Sequence, residues 1–521
     1  MSTIHKFGPY RLDADAGMLF QGSEPVALGR RAVMLLRLLV ERTGTPVSKD
    51  ALMEAAWPGL AVEESNLTVQ IAALRKTFAE IDGGKAWIET LPRRGYRYVG
   101  PPVATGYETG LIPSPAPAVS DKPSLAVLPF SNLSVDPGQD YFSDGITGDI
   151  IAELSRFRSL FVVARHSSFA YREKTADIKQ VGRALGVSYV TDGSVRKIGN
   201  RVRVTVQLLD AASGYHLWAE RYERELDDIF ALQDEIVRAI VAALPGRLED
   251  AGRETARGKP TSSITAYDLV LLGNERWRQL TVRDMAEARA YFRDAIALDG
   301  QYARAHVNIA WTIVCDAFLE SPVAPPLEEA LREMETALDI DVGDAWSHGV
   351  FAQLLFLRHE DVKAEIHFNR ALALNPNDAD VAAVFANILV YWGRWREALA
   401  WIDAAKRLNP FPPNLYHWYQ ALALYSGREY ERATKVLVEA RALDRWSHGL
   451  LAACYAQMGS LAAAQSEAEM FVSERCRELT ANGQVAPANT LDLAQGRAER
   501  YRNPADREHF LDGLRKAGLT G

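Results

Sequence analysis

The spacing of apolar residues changes several times along this 521-residue chain, and each change predicts a different kind of structure. Near the N-terminal end, KFGPYRLDADAGMLFQGSEPVAL holds short apolar runs broken by Asp13, Asp15, Gly17 and Gly22, the pattern of a small antiparallel sheet. Two helical periods follow. Val33, Leu36, Leu39 and Val40 make an apolar face over residues 30–42, and a second helix is expected over 48–57, opening on a capping serine and stopping before Pro58. A third helix is predicted over residues 64–78, where Leu67, Ile71, Leu74 and Phe78 recur at i, i+4, i+7 and i+11 in one narrow stripe. Beyond it, 87–91 and 96–99 read as two strands around Pro92, Arg93, Arg94 and Gly95, with Gly95 giving the turn its backbone freedom. Tyr96 and Tyr98 then share one face and Arg97 takes the other.

Past this module, PPVATGYETGLIPSPAPAVSDKP is rich in Pro, Gly and Ser and predicts an extended tether. From Ser124 to about 244, the runs LAVLPF, LFVVA, VSYVTDGSV and RVRVTVQLLD read as strands. Helices are expected over 140–156, burying Ile146, Ile150, Ile151 and Leu154, and over 226–244, which together give a mixed sheet packed with helices. The last region repeats. LALNP at 372–376 returns as KRLNP at 406–410, and Gly393 returns as Gly427, both 34 residues apart. The stretch 337–341 precedes 371–375 by the same interval, and a weaker copy lies near Gly459. That period characterises tetratricopeptide repeats, in which helix pairs stack because no pair buries its own face. About six units are expected over residues 264–475. The gap from Ala295 to Ala337 is 42, which places an insertion near 321–326.

The third helix bears on function. Opposite its apolar stripe lie Ser65, Val69, Ala72, Ala73 and Lys76, small enough for a helix axis to sit between phosphate ridges. Thr68 and Arg75 on one flank and Asn66 and Gln70 on the other reach towards base edges. Taken alone, such a helix is accounted for equally well by an ordinary solvated face. The arginine-bearing hairpin beside it turns the reading towards DNA, with Arg97 aimed at a phosphate while the tyrosines pack inward.

Residues 7–100 resemble the winged-helix DNA-binding domain of OmpR/PhoB-type regulators in the order of their elements. The resemblance implies a recognition helix at 64–78 and a wing at 93–97. Asn66, Val69, Gln70, Arg75 and Lys76 match the family's groove-facing and phosphate-facing positions. Ala72 and Ala73 stand where relatives often carry arginines, which leaves Val69 and Gln70 as the base readers. The loop 57–62 matches the segment that touches RNA polymerase in this family, and its apolar residues could equally brace the helix pair. The middle region is similar to the TolB N-terminal-like domain through SLAVLPFSNLS, FSDGITGDII, ARHSSFAY and YVTDGSV. The whole arrangement resembles that of CadC- and HilA-type regulators without a transmembrane helix. Membrane-anchored CadC- and ToxR-type relatives place a spanning helix where this chain has its tether.

Charge and composition narrow the picture. Residues 1–100 hold 13 Lys and Arg against 11 Asp and Glu, a balance of +2, while the chain as a whole carries 59 − 67 = −8, leaving −10 for the remainder. Arg75, Lys76, Lys85, Arg93, Arg94 and Arg97 cluster near the proposed contact surface, and such clustering matters more than net charge for a phosphate footprint. Glu63 and Glu64 suit a helix N-terminus, so a structural role suffices for them. Cys315, Cys454 and Cys476 lack zinc-type spacing and read as buried free thiols. MSTIHKF has no apolar core for secretion and no run of about 18 apolar residues occurs, so a cytoplasmic location is expected. The winged helix begins almost at Met1, so control is expected to come from the C-terminal portion and not from a preceding receiver domain.

Catalytic chemistry is not expected. FSDGITGDII lacks the lysine of a nucleotide loop and reads as a turn with a helix start, and His166 in ARHSSFAY reads as a packed histidine. Trp277, Tyr291, Phe292, Trp311, Tyr391, Trp392, Trp395 and Trp401 read as packing residues of the repeats. No cofactor or metal site is expected. The expected fold is multidomain: a winged helix-turn-helix (α+β) over 1–102, a linker over 103–122, a mixed α/β domain over 123–248, an all-α tetratricopeptide superhelix over 264–475 and a helical tail over 476–521. The expected function is sequence-specific regulation of transcription. The DNA contacts are assigned to Ser65, Asn66, Thr68, Val69, Gln70, Ala73, Arg75, Lys76, Arg93, Arg94 and Arg97. Expected partners are double-stranded promoter DNA, RNA polymerase through loop 57–62, a protein or peptide on the repeats, and a second copy of the chain on paired half-sites. An adenylate cyclase-related signalling protein and a protein-interaction scaffold are the alternatives.

Overall fold

The computed structural model describes residues 2–13, 18–21, 24–26, 28, 30–57, 63–79, 84–92, 94–108, 122–134, 136–157, 159–172, 177–244, 261, 263–279, 281–318, 325–440, 443–481 and 484–521. The chain divides into two compact units. One comprises Met1–Pro113, Gly300–Val314 and Pro326–Leu374, the other Ser114–Asp299, Cys315–Pro325 and Asn375–Gly521.

The first unit opens with strands β1 (Ser2–Phe7), β2 (Tyr10–Asp13), β3 (Met18–Gln21) and β4 (Glu24–Pro25), then helices α1 (Arg30–Glu41), α2 (Lys49–Ala56) and α3 (Glu64–Phe78). A hairpin of β5 (Ile88–Leu91) and β6 (Gly95–Tyr98) follows, and then β7 (Ala104–Glu108). The apolar positions read from the sequence of α1 and α3 are buried in one shared core. Ser48 caps α2 by accepting a hydrogen bond from the Ala51 amide at 3.2 Å. Strand β7 departs from expectation, because it lies in the stretch read as tether. It pairs antiparallel with β1 and closes the order β4-β3-β2-β1-β7. The free edge of β1 presents unpaired backbone groups, and residues 104–108 satisfy them despite their turn-prone composition. The rest of that stretch, 109–121, lies outside the described residues.

The middle region carries β8 (Ser124–Val127), β9 (Ser131–Asn132), α4 (Asp140–Ser155), β10 (Phe161–Val162), α5 (Arg165–Phe169), α6 (Ile178–Leu185), β11 (Tyr189–Ile198), β12 (Arg201–Asp210), β13 (His216–Glu225) and α7 (Ile229–Ala243). Its sheet runs β10-β8-β11-β12-β13, parallel on the β8 side and antiparallel beyond β11, so it is mixed as expected. FSDGITGDII is neither a phosphate loop nor a turn: Phe142 to Ile151 all lie inside α4. The physical reason is packing. A Cβ on Gly145 would stand 2.5 Å from the Leu271 side chain, so glycine there lets two helices touch.

Helices then follow in pairs: α8 (Ile264–Trp277) with α9 (Val282–Leu298), α10 (Ala303–Phe318) with α11 (Leu327–Ile340), α12 (Ala345–Leu357) with α13 (Asp361–Leu374), α14 (Ala379–Tyr391) with α15 (Trp395–Leu408), α16 (Asn414–Ser426) with α17 (Tyr430–Val438), and α18 (Arg445–Gln457) with α19 (Leu461–Ala481). Short α20 (Gln495–Ala498) and α21 (Pro504–Lys516) come last. Asp344, Asp378 and Asp444 cap α12, α14 and α18, each accepting from the amide three residues on. The insertion expected near 321–326 falls mainly on residues outside the described set. Cys315 and Cys454 are buried free thiols and Cys476 is half-buried. Among the described residues no helix is long and apolar enough to cross a membrane.

The repeat landmarks have a second role in the second unit. Asn377, just past LALNP, donates through Nδ2 to the carbonyls of Ser155 at 2.8 Å and Leu160 at 3.2 Å. Asn409 of KRLNP accepts from Ser167 Oγ at 2.5 Å, and that hydroxyl accepts in turn from the Phe411 amide at 2.7 Å. These bonds join the loops after α13 and α15 to α5 and to the end of α4 with the turn that follows it. Those of Asn377 and Asn409 are buried, so a lost partner would leave a polar group without compensation.

In the first unit, His348 on α12 and His367 on α13 meet through their Nδ1 atoms at 2.8 Å. His348 Nε2 lies 2.9 Å from the Val342 carbonyl, to which it donates, so its Nδ1 accepts and His367 donates. Protonating His348 would set two N–H groups against each other. Burial, and then the nearby Arg370 guanidinium, push its imidazole down to about 4, while Asp344 opposes that shift. The neutral form is thus the folded form, and its stabilisation is complete above the ordinary value of 6.5 and lost as pH falls towards 4. Between pH 7 and pH 5 the loss is expected to be about 2 kcal/mol. Hydrogen-exchange protection of α12 and α13 should fall over that interval, and the fall should shrink in His348→Gln.

Candidate nucleic-acid interface

Helix α3 gets its register from four buried side chains, Leu67, Ile71, Leu74 and Phe78. Phe78 packs edge-on to Phe7 at 6.2 Å and to Tyr10 at 5.2 Å between ring centroids, and lies 5.3 Å from Trp87. Tyr10 adds a hydrogen bond from its hydroxyl to the Thr77 carbonyl at 3.1 Å. At the other end, Glu64 in the first turn pairs with Lys49 of α2. The helix is therefore gripped along one side and at both ends, and its opposite side is open.

On the open side Ser65, Asn66, Thr68, Val69, Ala72 and Lys76 are exposed, and Gln70 and Ala73 are half-buried. Val69 is 62% exposed, which puts an isopropyl group in water in the middle of a polar face. Ser65 Oγ leans on Glu63 at 3.4 Å, and Thr68 Oγ1 donates back to the Glu64 carbonyl at 3.3 Å. Among the described residues Asn66, Gln70 and Lys76 make no side-chain hydrogen bond, so their polar groups face solution.

The hairpin stands beside this face because its base is fixed. Val47 and Tyr96 exchange backbone hydrogen bonds, Val47 N to Tyr96 O at 2.8 Å and Tyr96 N to Val47 O at 2.9 Å. Gly95 makes this approach feasible: its φ is +102°, and a Cβ would lie 1.9 Å from the Val47 carbonyl oxygen. Tyr96 and Tyr98 are buried, as their alternation implied. Arg97 lies on the opposite face, directly across from Glu89, and donates to it at 2.6 Å. Arg94 at the turn is exposed. Arg93 lies outside the described residues, as do the Lys85 side chain and all of loop 57–62 except the buried Trp57.

Arg75 has a task that sequence reasoning missed. Its Nη2 donates to the Ile88 carbonyl and to Thr90 Oγ1, both at 2.7 Å, and Nε donates to the same carbonyl at 3.0 Å. The guanidinium therefore bolts the hairpin to α3. The available signal was its place one residue after buried Leu74, at the edge of the apolar stripe. Of the six clustered cations, Lys76 and Arg94 face solution, Arg75 holds the hairpin to α3 and Arg97 is paired with Glu89 at the hairpin surface. The surface thus offers two amides on one flank, a central methyl-bearing group and two open cations, and among the described residues no group of three or more metal-ligating side chains occurs.

Residues 23–98 match the family described as transcriptional regulatory protein, C terminal, and residues 120–239 match the HilA/YgeH-like transcriptional regulator, second domain. A protein of Rhizobium meliloti (strain 1021) provisionally named adenylate cyclase 3 is 43% identical over 243 residues, which are 46% of this chain and 41% of that one. The transcriptional regulator HilA of Salmonella typhimurium is 24% identical over 415 residues, 78% of this chain and 70% of its own length. The transcriptional activator CadC of Escherichia coli (strain K12) is 25% identical over 145 residues, 26% of this chain and 28% of its own length. This chain thus spans about two fifths of the first of these relatives. With its geometry and these matches together, the chain carries an OmpR/PhoB-type transcriptional regulatory domain, then a HilA-like second domain and helical repeats of tetratricopeptide type.

Proposed function

We propose that this chain is a sequence-specific DNA-binding transcriptional regulator, acting in the cytoplasm on promoter DNA and carrying out no reaction of its own. The observation that carries this reading is the open side of α3, where Asn66, Val69 and Gln70 stand free beside a hairpin that Arg75 holds in place. Laid in a major groove, Val69 suits a thymine methyl and Gln70 suits the N6 and N7 edge of adenine. Ser65, Thr68 and Ala73 complete the surface that the duplex would cover. Lys76 and Arg94, with Arg93 and Arg97, supply phosphate contacts that set register without reading sequence. Loop 57–62 is proposed to meet RNA polymerase, and a second copy to occupy a paired half-site.

Control is proposed to pass through the repeats, and one contact supports a route. Arg31 of α1 pairs with Asp339 of α11 at 3.1 Å, and its guanidinium lies 5.5 Å from the Trp57 ring centroid. Both charges are substantially exposed, so the pair is worth at most about 1 kcal/mol. A partner on the repeats could break a contact this weak. Reversing the charge in Asp339→Arg is expected to change operator affinity about two- to fivefold in gel shifts. An unchanged affinity would remove this contact from the route.

The DNA reading is tested by salt titration. Lys76→Ala and Arg94→Ala should weaken binding to every sequence and flatten the plot of log affinity against log salt by about one unit each. Gln70→Ala should relax base preference instead. Arg75→Ala should weaken binding and also raise hydrogen exchange in β5, which Lys76→Ala should leave alone. Absence of saturable, salt-sensitive binding to any promoter fragment would favour a protein-interaction scaffold.

A second reading, cyclic-nucleotide synthesis, is favoured by the name of the 43% identical relative. It is tested by incubating the purified chain with ATP and magnesium, and no cyclic AMP is expected. Sustained production at the rate of an enzyme would replace the regulator reading.

A further inference from the structure

The C-terminal segment does not simply trail from the last helix pair. In the second unit α14, α16 and α18 lie side by side, and residues 490–516 run back across them. Arg497 inserts between two indoles, 4.6 Å from the Trp418 ring centroid and 4.0 Å from that of Trp446, and is only 7% exposed. Three residues on, Arg500 donates to the Ala317 carbonyl at 3.0 Å and lies 4.9 Å from the Phe318 ring centroid. The Arg502 amide donates to the Tyr391 carbonyl at 2.9 Å. Two arginines, each laid on an aromatic ring, therefore anchor a stretch whose only α-helix before α21 has four residues.

A guanidinium between two indoles is a recognition arrangement as well as a packing one, because desolvation strengthens the attraction between cation and ring. Two details separate it from a finished core. Among the described residues the buried Trp418 and Trp446 indole N–H groups meet no acceptor, although buried donors are nearly always satisfied. Val485, in the lead-in to the segment, is 93% exposed. A ligand that brought an arginine together with oxygen acceptors would fill the same cage and also satisfy the indoles.

We propose that the face of α14, α16 and α18 is a peptide-binding site keyed by an arginine between Trp418 and Trp446, and that residues 490–516 are its internal occupant, displaced by an arginine-bearing segment of a partner protein. This deepens the reading of the repeats as a partner surface and is independent of DNA binding. The test uses the full chain with a protease site inserted between Ala481 and Gln484 and cut after purification. A fluorescent synthetic peptide of residues 484–521 is then added, and its uptake is followed by anisotropy alongside circular dichroism.

The peptide should exchange into the nicked protein well below its unfolding transition. A peptide with Arg497→Ala should bind about tenfold or more weakly, and one with Arg500→Ala should lose less. Since these substitutions are made in the peptide, the receiving chain keeps its fold. Uptake that starts only where circular dichroism reports unfolding, or equal uptake of the Arg497→Ala peptide, would overturn the proposal and make the segment a permanent cap.

Discussion

The packing of Phe78 and Trp87 against Phe7 and Tyr10, with Tyr98 against Phe7, is the constraint on which the candidate DNA surface depends. These rings come from β1, β2, the end of α3, the approach to β5 and β6, so one cluster sets the positions of the sheet, helix and hairpin together. Aromatic pairs prefer edge-to-face and offset geometries, which fix orientation as well as distance. Helix α3 has no side-chain cap at its N-terminus, so its register is set from the buried end. The polar face follows from that register. Arg75 then turns a fixed helix into a fixed helix and hairpin, at the expense of one positive charge on the open surface.

The second unit uses polar bonds where the first uses rings. Ser167 sits at the centre of a short relay, donating to Asn409 and accepting from the Phe411 amide, and Asn377 serves three carbonyls at the end of α4. Residues that mark the repeat therefore also hold the middle region. Glycine spacing has a similar double life. Gly393 adopts φ +79° in the turn after α14, but in the turn after α16 the left-handed residue is Arg428, and Gly427 instead lies against the Trp395 ring, where a Cβ would be 2.8 Å away. A shared 34-residue spacing does not guarantee a shared reason.

Periodicity alone carried the local structure. The bounds of α3, the capping serine of α2, the buried stripes of α1 and α3, the inward tyrosines of β6 and the 34-residue beat were legible because each is set by neighbours within a few turns of chain. What escaped were features decided by partners far along the chain. Strand β7 exists because β1 has an open edge, and β13, with one buried residue in a charged run, exists because β12 pairs with it. FSDGITGDII lies wholly inside α4 because Leu271 comes to rest against Gly145.

The sequence by itself determined which elements form, which faces they bury and which side of α3 is polar, since those follow from residue type and spacing. Only the tertiary structure decided what each charge does. Arg75 is spent on holding the hairpin, Arg97 pairs with Glu89 across the hairpin surface, Lys76 and Arg94 are left for solution, and Arg497 is drawn between two indoles contributed by helices far from it in sequence. A guanidinium has the same long, flexible stem in every setting, so its partner is chosen by what folding brings within reach.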